Sequence, residues 1–188
     1  MKKIAVFASG NGSNFEAVTV AARSGLIPGC EVALCVCDRP GAYVTERAAR
    51  LGVPVLAFSP RDFGSKRDFE KMIADELDRL GIALVCLAGY MRIVGDELLG
   101  RYAGRIINIH PALLPAFPGA HAIRDAFEYG VKVYGVTIHR VDSTVDGGAI
   151  IAQEAVPYEG RDIDELTALI HSAEHRLYPA AIASLLAE

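Results

Sequence analysis

Two short runs, ALVCLA at Ala83–Ala88 and IINI at Ile106–Ile109, are apolar at consecutive positions, Asn108 excepted. A strand covered on one face alternates apolar with polar residues. One covered on both faces does not, and such strands belong to parallel sheets flanked by helices. These two runs are therefore expected at the centre of such a sheet, and the rest of the chain must supply helices for both faces. Lys3–Phe7 is a further apolar run, closed by Ser-Gly-Asn-Gly, after which Phe15, Val18 and Ala22 recur at helical spacing. Glu31–Cys37, Ala42–Leu51 and Val53–Phe58 repeat strand, helix, strand across the Arg39-Pro40-Gly41 turn. Ser65, with Asp68 three residues on, reads as a helix N-cap. Phe69, Met72, Ile73, Leu77 and Leu80 line one face of the helix that follows, and Gly81 ends it.

The last third departs from this alternation. Val131–Val141 and Ala149–Val156 read as strands joined by DSTVDGG with no helical pattern between them, which predicts an antiparallel excursion on the sheet. Asp162 with Glu165 caps a long closing helix carrying Leu166, Leu169, Ile170, Leu177, Ile182 and Leu185, with a kink expected at Pro179. The predicted fold is α/β: an open, mostly parallel, doubly wound sheet with an antiparallel C-terminal excursion and a long closing helix. At 188 residues, with 52% hydrophobic and 22% charged residues, the chain is expected to form one domain over 1–188.

Nineteen basic against 23 acidic residues give a net charge of −4, with no basic run to follow a phosphate backbone, so nucleic acid is not expected as a partner. The apolar start breaks at Ser9-Gly10, too early for a secretory signal, and no 18-residue apolar span follows. A soluble, cytoplasmic protein without membrane contact is expected. Cys30, Cys35, Cys37 and Cys86 lie in strand-like surroundings, and the Cys35-Val-Cys37 spacing fits neither a zinc knuckle nor a redox motif, so they read as buried thiols.

Four places could carry chemistry. SGNGSN at 9–14 is a Gly-rich turn opening a helix, where backbone amides can hold a phosphate; it reads equally well as a plain tight turn. A dinucleotide fingerprint would need a small residue where Phe15 stands, although Asp38, near the end of the second strand, keeps that alternative open. Asn108 and His110, two apart and so on one face at the end of a central strand, could bind an oxyanion and move a proton; alternatively they satisfy loop backbone groups. Asp146, before Gly147-Gly148, is either a turn residue or a carboxylate folded back onto His110 to orient its ring. HSAEH at 171–175 puts His171 and His175 on one helix face in an inverted zinc-protease order, but no third ligand follows and no metal is expected. Met91–Val94 reads as a loop with Arg92 solvated or available to a carboxylate-bearing ligand. His139, sharing a strand face with Thr137, and His121 are weaker candidates.

FASGNGSNFEAV, LAGYMRIV, NIHPALLPAFPG, GVTIHRVDSTVDGGAII and AEHRLYP together make the chain resemble the phosphoribosylglycinamide formyltransferase family nearly end to end. The resemblance implies a Rossmann-like formyltransferase fold. It also implies transfer of a formyl group from 10-formyltetrahydrofolate to the amine of glycinamide ribonucleotide in de novo purine biosynthesis, by direct attack through a tetrahedral intermediate. By the same resemblance Asn108, His110 and Asp146 are catalytic, and Gly12, Ser13, Asn14, His171, Ser172, Ala173 and Glu174 bind glycinamide ribonucleotide. Lys66, Met91, Arg92, Ile93, Val94, Asn108, Asp142, Ser143, Thr144, Val145 and Asp146 bind the folate cosubstrate. No metal and no covalent enzyme intermediate are implied. Lys66 stands where relatives can carry Arg, and His171 where relatives can have Gln. Folate-dependent deformylases share the Asn, His and Asp but carry an N-terminal regulatory domain. Methionyl-tRNA formyltransferases add a C-terminal tRNA-binding domain. Neither extra domain is expected in this chain, whose sequence does not choose between a monomer and a homodimer.

Overall fold

The computed structural model describes residues 1–187. One seven-stranded sheet runs through it: β1 (Lys2–Phe7), β2 (Cys30–Cys37), β3 (Val55–Ala57), β4 (Ile82–Leu87), β5 (Ile106–His110), β6 (Val133–Arg140) and β7 (Ile150–Pro157), in the order β3-β2-β1-β4-β5-β6-β7. The first five strands are parallel, and β6 and β7 are antiparallel to their neighbours. The non-alternating runs thus lie where burial on both faces demands them, with β4 at the middle of the sheet and β5 beside it.

Helices α1 (Ser13–Arg23), α2 (Tyr43–Arg50) and the closing α6 (Ile163–Ala187) pack on one face, around Phe15, Val18, Ile170 and Tyr178. Helices α3 (Lys66–Leu80) and α4 (Asp96–Arg101) cover the other, around Phe69, Ile73, Leu77 and Leu98. Helix α5 (Ala122–Tyr129) follows β5. The caps follow the sequence: Ser65 Oγ accepts the Asp68 N–H at 3.2 Å, Gly81 ends α3 at φ 69°, and Asp162 Oδ1 accepts the Asp164 N–H at 2.9 Å.

Two expectations change. The third strand is Val55–Ala57 rather than Val53–Phe58. The Val53 N–H turns back to the Ala48 carbonyl at the end of α2, and Pro54, having no N–H, enters the sheet only through its carbonyl. Helix α5 is an addition, its Ala-Ile-Arg-Asp-Ala-Phe pattern being short and flanked by glycines at 119 and 130. The long closing helix is present as expected: α6 continues through Pro179, where the ladder lacks one N–H, to Ala187. Among the described residues no helix is long and apolar enough to cross a membrane.

Candidate active site

In an open α/β sheet the loops that leave the carboxyl ends of neighbouring strands diverge where the strand order reverses, and a crevice opens there. Here that point lies between β1 and β4, and beside it is a cavity of about 410 Å³. Its walls are the turn after β1 (Gly10–Asn14), the loop after β4 (Ala88–Val94), the end of β5 (Asn108–Pro111) and the loop after β6 (Val141, Asp142 and Thr144–Asp146), with His171 and Glu174 from α6.

Asn108 and His110 project from β5 on the same side, as their spacing requires. The antiparallel register sets Asn108 directly opposite His139 of β6, and its Nδ2 lies 3.1 Å from His139 Nε2. His139 Nδ1 is 2.9 Å from the Arg140 carbonyl, which can only accept, so Nδ1 carries the proton and Nε2 accepts from the Asn108 amide. That fixes the amide's orientation and leaves its second N–H uncommitted. His110 is buried, and its Nε2 donates to the Phe117 carbonyl at 2.8 Å. Its Nδ1 therefore faces Asp146 Oδ2, 3.6 Å away, too long for a hydrogen bond but close enough for the carboxylate to pair with a charged imidazole. Asp146 Oδ1 is 3.7 Å from His139 Nε2, and Oδ2 accepts the Gly119 N–H at 2.8 Å.

The Asp-Gly-Gly sequence explains how this carboxylate arrives. A side chain at Gly148 would collide with the Arg140 carbonyl at the end of β6, so only glycine lets the loop fold flat against the strand and carry Asp146 back over β5. Thr137, fully buried, donates to the Ala112 carbonyl at 2.7 Å and accepts the Leu114 N–H at 3.1 Å, pinning the segment that leaves His110.

The turn at 10–14 has a more structural glycine than its sequence implies. Gly12, at φ 78°, is the N-cap of α1, and any side chain there would strike Val44 of α2. The glycine is required by helix packing and by its left-handed backbone. Asn14 Nδ2 donates to Glu174 Oε2 at 3.0 Å, and His171 Nδ1 lies 2.8 Å from the same oxygen. The carboxylate holds the His171 pKa above its usual value, while burial pushes that of His175 down. Asn14 Oδ1 is buried without a hydrogen-bond partner among the described residues. Among the described residues no three His, Cys, Asp or Glu side chains converge as metal ligands would.

Not every residue singled out in the sequence reaches the cavity. Lys66 lies outside its walls, 3.8 Å from Glu70 beside the Gly95 turn. Ser143 is absent from the lining, Ser172 accepts from Arg176 at the surface, and Ala173 is wholly inside the core. Arg92 is not simply solvated: its Nε donates to Asp38 Oδ2 at 2.6 Å. His139 was visible only as a strand residue, because its role depends on a register that no local pattern announces.

A formyl transferase family model matches residues 2–182. The chain belongs to the formyl transferase family. Among other formyl transferases it is 49% identical, over 99% of its own length and 95% of the relative's, to a protein of Bacillus subtilis (strain 168) named phosphoribosylglycinamide formyltransferase. The crystal structure of glycinamide ribonucleotide transformylase 1 from Geobacillus kaustophilus superposes with a TM-score of 0.95 at 53% identity, with 99% of each chain covered. A trifunctional purine biosynthetic protein of Drosophila melanogaster is 41% identical over 98% of this chain, which spans 14% of that longer protein. With 99% of this chain covered, the likeness to the Geobacillus kaustophilus structure takes in the antiparallel edge and the closing helix as well as the parallel strands.

Proposed function

We infer that this chain is a phosphoribosylglycinamide formyltransferase. It moves the formyl group of 10-formyltetrahydrofolate to the amine of glycinamide ribonucleotide, a step of purine biosynthesis. The observation that carries the reading is the convergence of Asn108 and His110, from the end of β5, and Asp146, from the loop after β6, on one cavity. The cavity has the volume and mixed lining of a small-molecule site.

The chemistry is attack by the substrate amine on the formyl carbon carried by folate N10. A carbon–nitrogen bond forms, the bond to N10 breaks, the amine loses a proton and N10 gains one. Asn108 is placed to donate its second amide N–H to the oxygen that becomes negative as the carbon turns tetrahedral. His110, protonated, offers Nδ1–H toward the same region, and Asp146, 3.6 Å away, pairs with the imidazolium and can relay the proton through a water. Donors preset by His139 and Phe117 need no reorganisation when charge develops. The backbone of Gly12–Asn14 at the start of α1 suits the ribonucleotide phosphate, with Glu174 and His171 beside it, and Met91–Val94 with Asp142–Asp146 suits the folate pterin. A cytoplasmic location accords with four free, buried cysteines.

The test is Asn108→Asp, which keeps shape but puts a carboxylate where negative charge develops. Turnover should fall at least about 10²- to 10³-fold, with ribonucleotide binding little changed. Turnover within about threefold of wild type in a folded variant would rule out Asn108 as the principal oxyanion donor.

A further inference from the structure

Asp38 is a buried carboxylate, 3% exposed, that the proposed chemistry does not use. It stands just past the end of β2, where nucleotide-binding sheets place an acid that holds a ribose hydroxyl. Here both oxygens are already engaged within the protein. Oδ1 accepts from Ser9 Oγ at 2.5 Å and Oδ2 accepts from Arg92 Nε at 2.6 Å. Ser9, 2% exposed, in turn accepts the Met91 N–H on its hydroxyl at 2.9 Å, and its own N–H donates to the Gly89 carbonyl at 3.0 Å. The carboxylate is thus an internal strut rather than a ligand for a bound molecule.

What the strut supports is Met91–Val94, a loop outside every strand and helix whose residues all line the cavity. Met91 and Ile93 turn their side chains outward, 55% and 65% exposed. A loop with no ladder partners keeps its shape only through the groups that anchor its ends. The far end is held by a second buried carboxylate, Glu70, whose Oε1 accepts the Gly95 N–H at 2.7 Å, and by the burial of Val94. At the near end the anchors are Ser9 on Met91 and Asp38 on Arg92. The Arg92 guanidinium, drawn down to Asp38 and over the Phe69 ring at 5.9 Å, acts as a brace on the loop.

We propose that Asp38 is a positioning residue for folate: through Ser9 and Arg92 it sets the backbone of Met91–Val94 and hence affinity for the cosubstrate, without touching it. The inference rests on the formyltransferase reading given above. It is specific to one of the two substrates, because the turn that receives the ribonucleotide phosphate has its own supports, Arg47 Nε donating to the Asn11 carbonyl at 2.9 Å and Val44 N–H to the Gly10 carbonyl at 3.0 Å.

The experiment is steady-state kinetics of Asp38→Ala, Asp38→Asn and Ser9→Ala against both substrates, with direct titration by tetrahydrofolate, the deformylated product. Asp38→Ala should raise KM for 10-formyltetrahydrofolate and Kd for tetrahydrofolate about tenfold, a misplaced loop being enough for a loss of this size, while KM for glycinamide ribonucleotide stays within about twofold. Asp38→Asn, which can still accept from Ser9, and Ser9→Ala, which leaves Asp38 with Arg92, should each give a smaller rise of the same selectivity, roughly threefold. These two carry the test if Asp38→Ala does not fold. Folate constants within about twofold of wild type, or equal rises for both substrates, would overturn the proposal. Failure of the wild-type chain to bind or turn over folate would instead remove the formyltransferase reading, and this proposal with it, before any variant is compared.

Discussion

His139 faces Asn108 across the register of β5 and β6, and the proton on its Nδ1 makes its other nitrogen an acceptor for the Asn108 amide. His139→Phe keeps a ring of similar size but removes that acceptor, freeing the amide to rotate. Turnover should drop roughly tenfold with both Michaelis constants within about twofold, the pattern of an interaction that matters in the transition state. Asp146→Asn keeps the shape, and its amide oxygen can still accept from Gly119, but it loses the charge facing His110. Turnover should fall at least about 10²-fold, read in the same assay. Asn108 and His110 were legible in the sequence because two residues apart on a strand is a statement about faces. Asp146 was legible through the two glycines after it. The contacts of His139, Ser9 and Asp38 were not, although His139 and Asp38 stood out as residues, since each meets a partner 29 or more residues away, brought close by strand order alone.

The helices add constraints of their own. Gly12 joins a left-handed N-cap to the packing of α1 against Val44 of α2, so even alanine there both strains the backbone and collides. Gly12→Ala should destabilise the fold by about 1–3 kcal/mol in denaturant unfolding, in addition to weakening ribonucleotide binding. A rise in KM alone, with stability intact, would contradict the packing role. On α6, His171 is paired with Glu174, and its pKa is raised by that hydrogen bond, with burial opposing. A raised folded-state value means the pair's stabilisation is fully present below the unfolded imidazole value of 6.5 and is lost as pH climbs through the raised one. His171→Gln should therefore cost more stability at pH 5.5 than at pH 8, a difference visible in paired thermal melts. Strand and helix identities were largely readable from periodicity and caps. The boundaries of β3 depended on Pro54 and a helix-end bond at Val53, and α5 on a short stretch between glycines, where local pattern carries little information.

Across the whole molecule, one sheet separates two apolar cores and gathers the cavity walls at its carboxyl edge, so groups as distant in sequence as Asn14 and Glu174 meet there. On the proposed placement the ribonucleotide spans α1, α6 and the strand ends, so its binding should stabilise the fold as a unit. At a ligand concentration about 100 times Kd the gain is about 2.7 kcal/mol, or roughly 5–10 °C in Tm for a chain of this size. An unchanged melt at that concentration would mean the ribonucleotide does not bind the native cavity. The most direct measurement is a product balance on the purified wild-type chain: incubate it with 10-formyltetrahydrofolate, with and without glycinamide ribonucleotide, and quantify tetrahydrofolate, formylated ribonucleotide and free formate. Expected is one formylated ribonucleotide per tetrahydrofolate released, and negligible release when the ribonucleotide is omitted. Release of formate without the ribonucleotide, or no reaction in either mixture, would contradict direct transfer at the Asn108, His110 and Asp146 site.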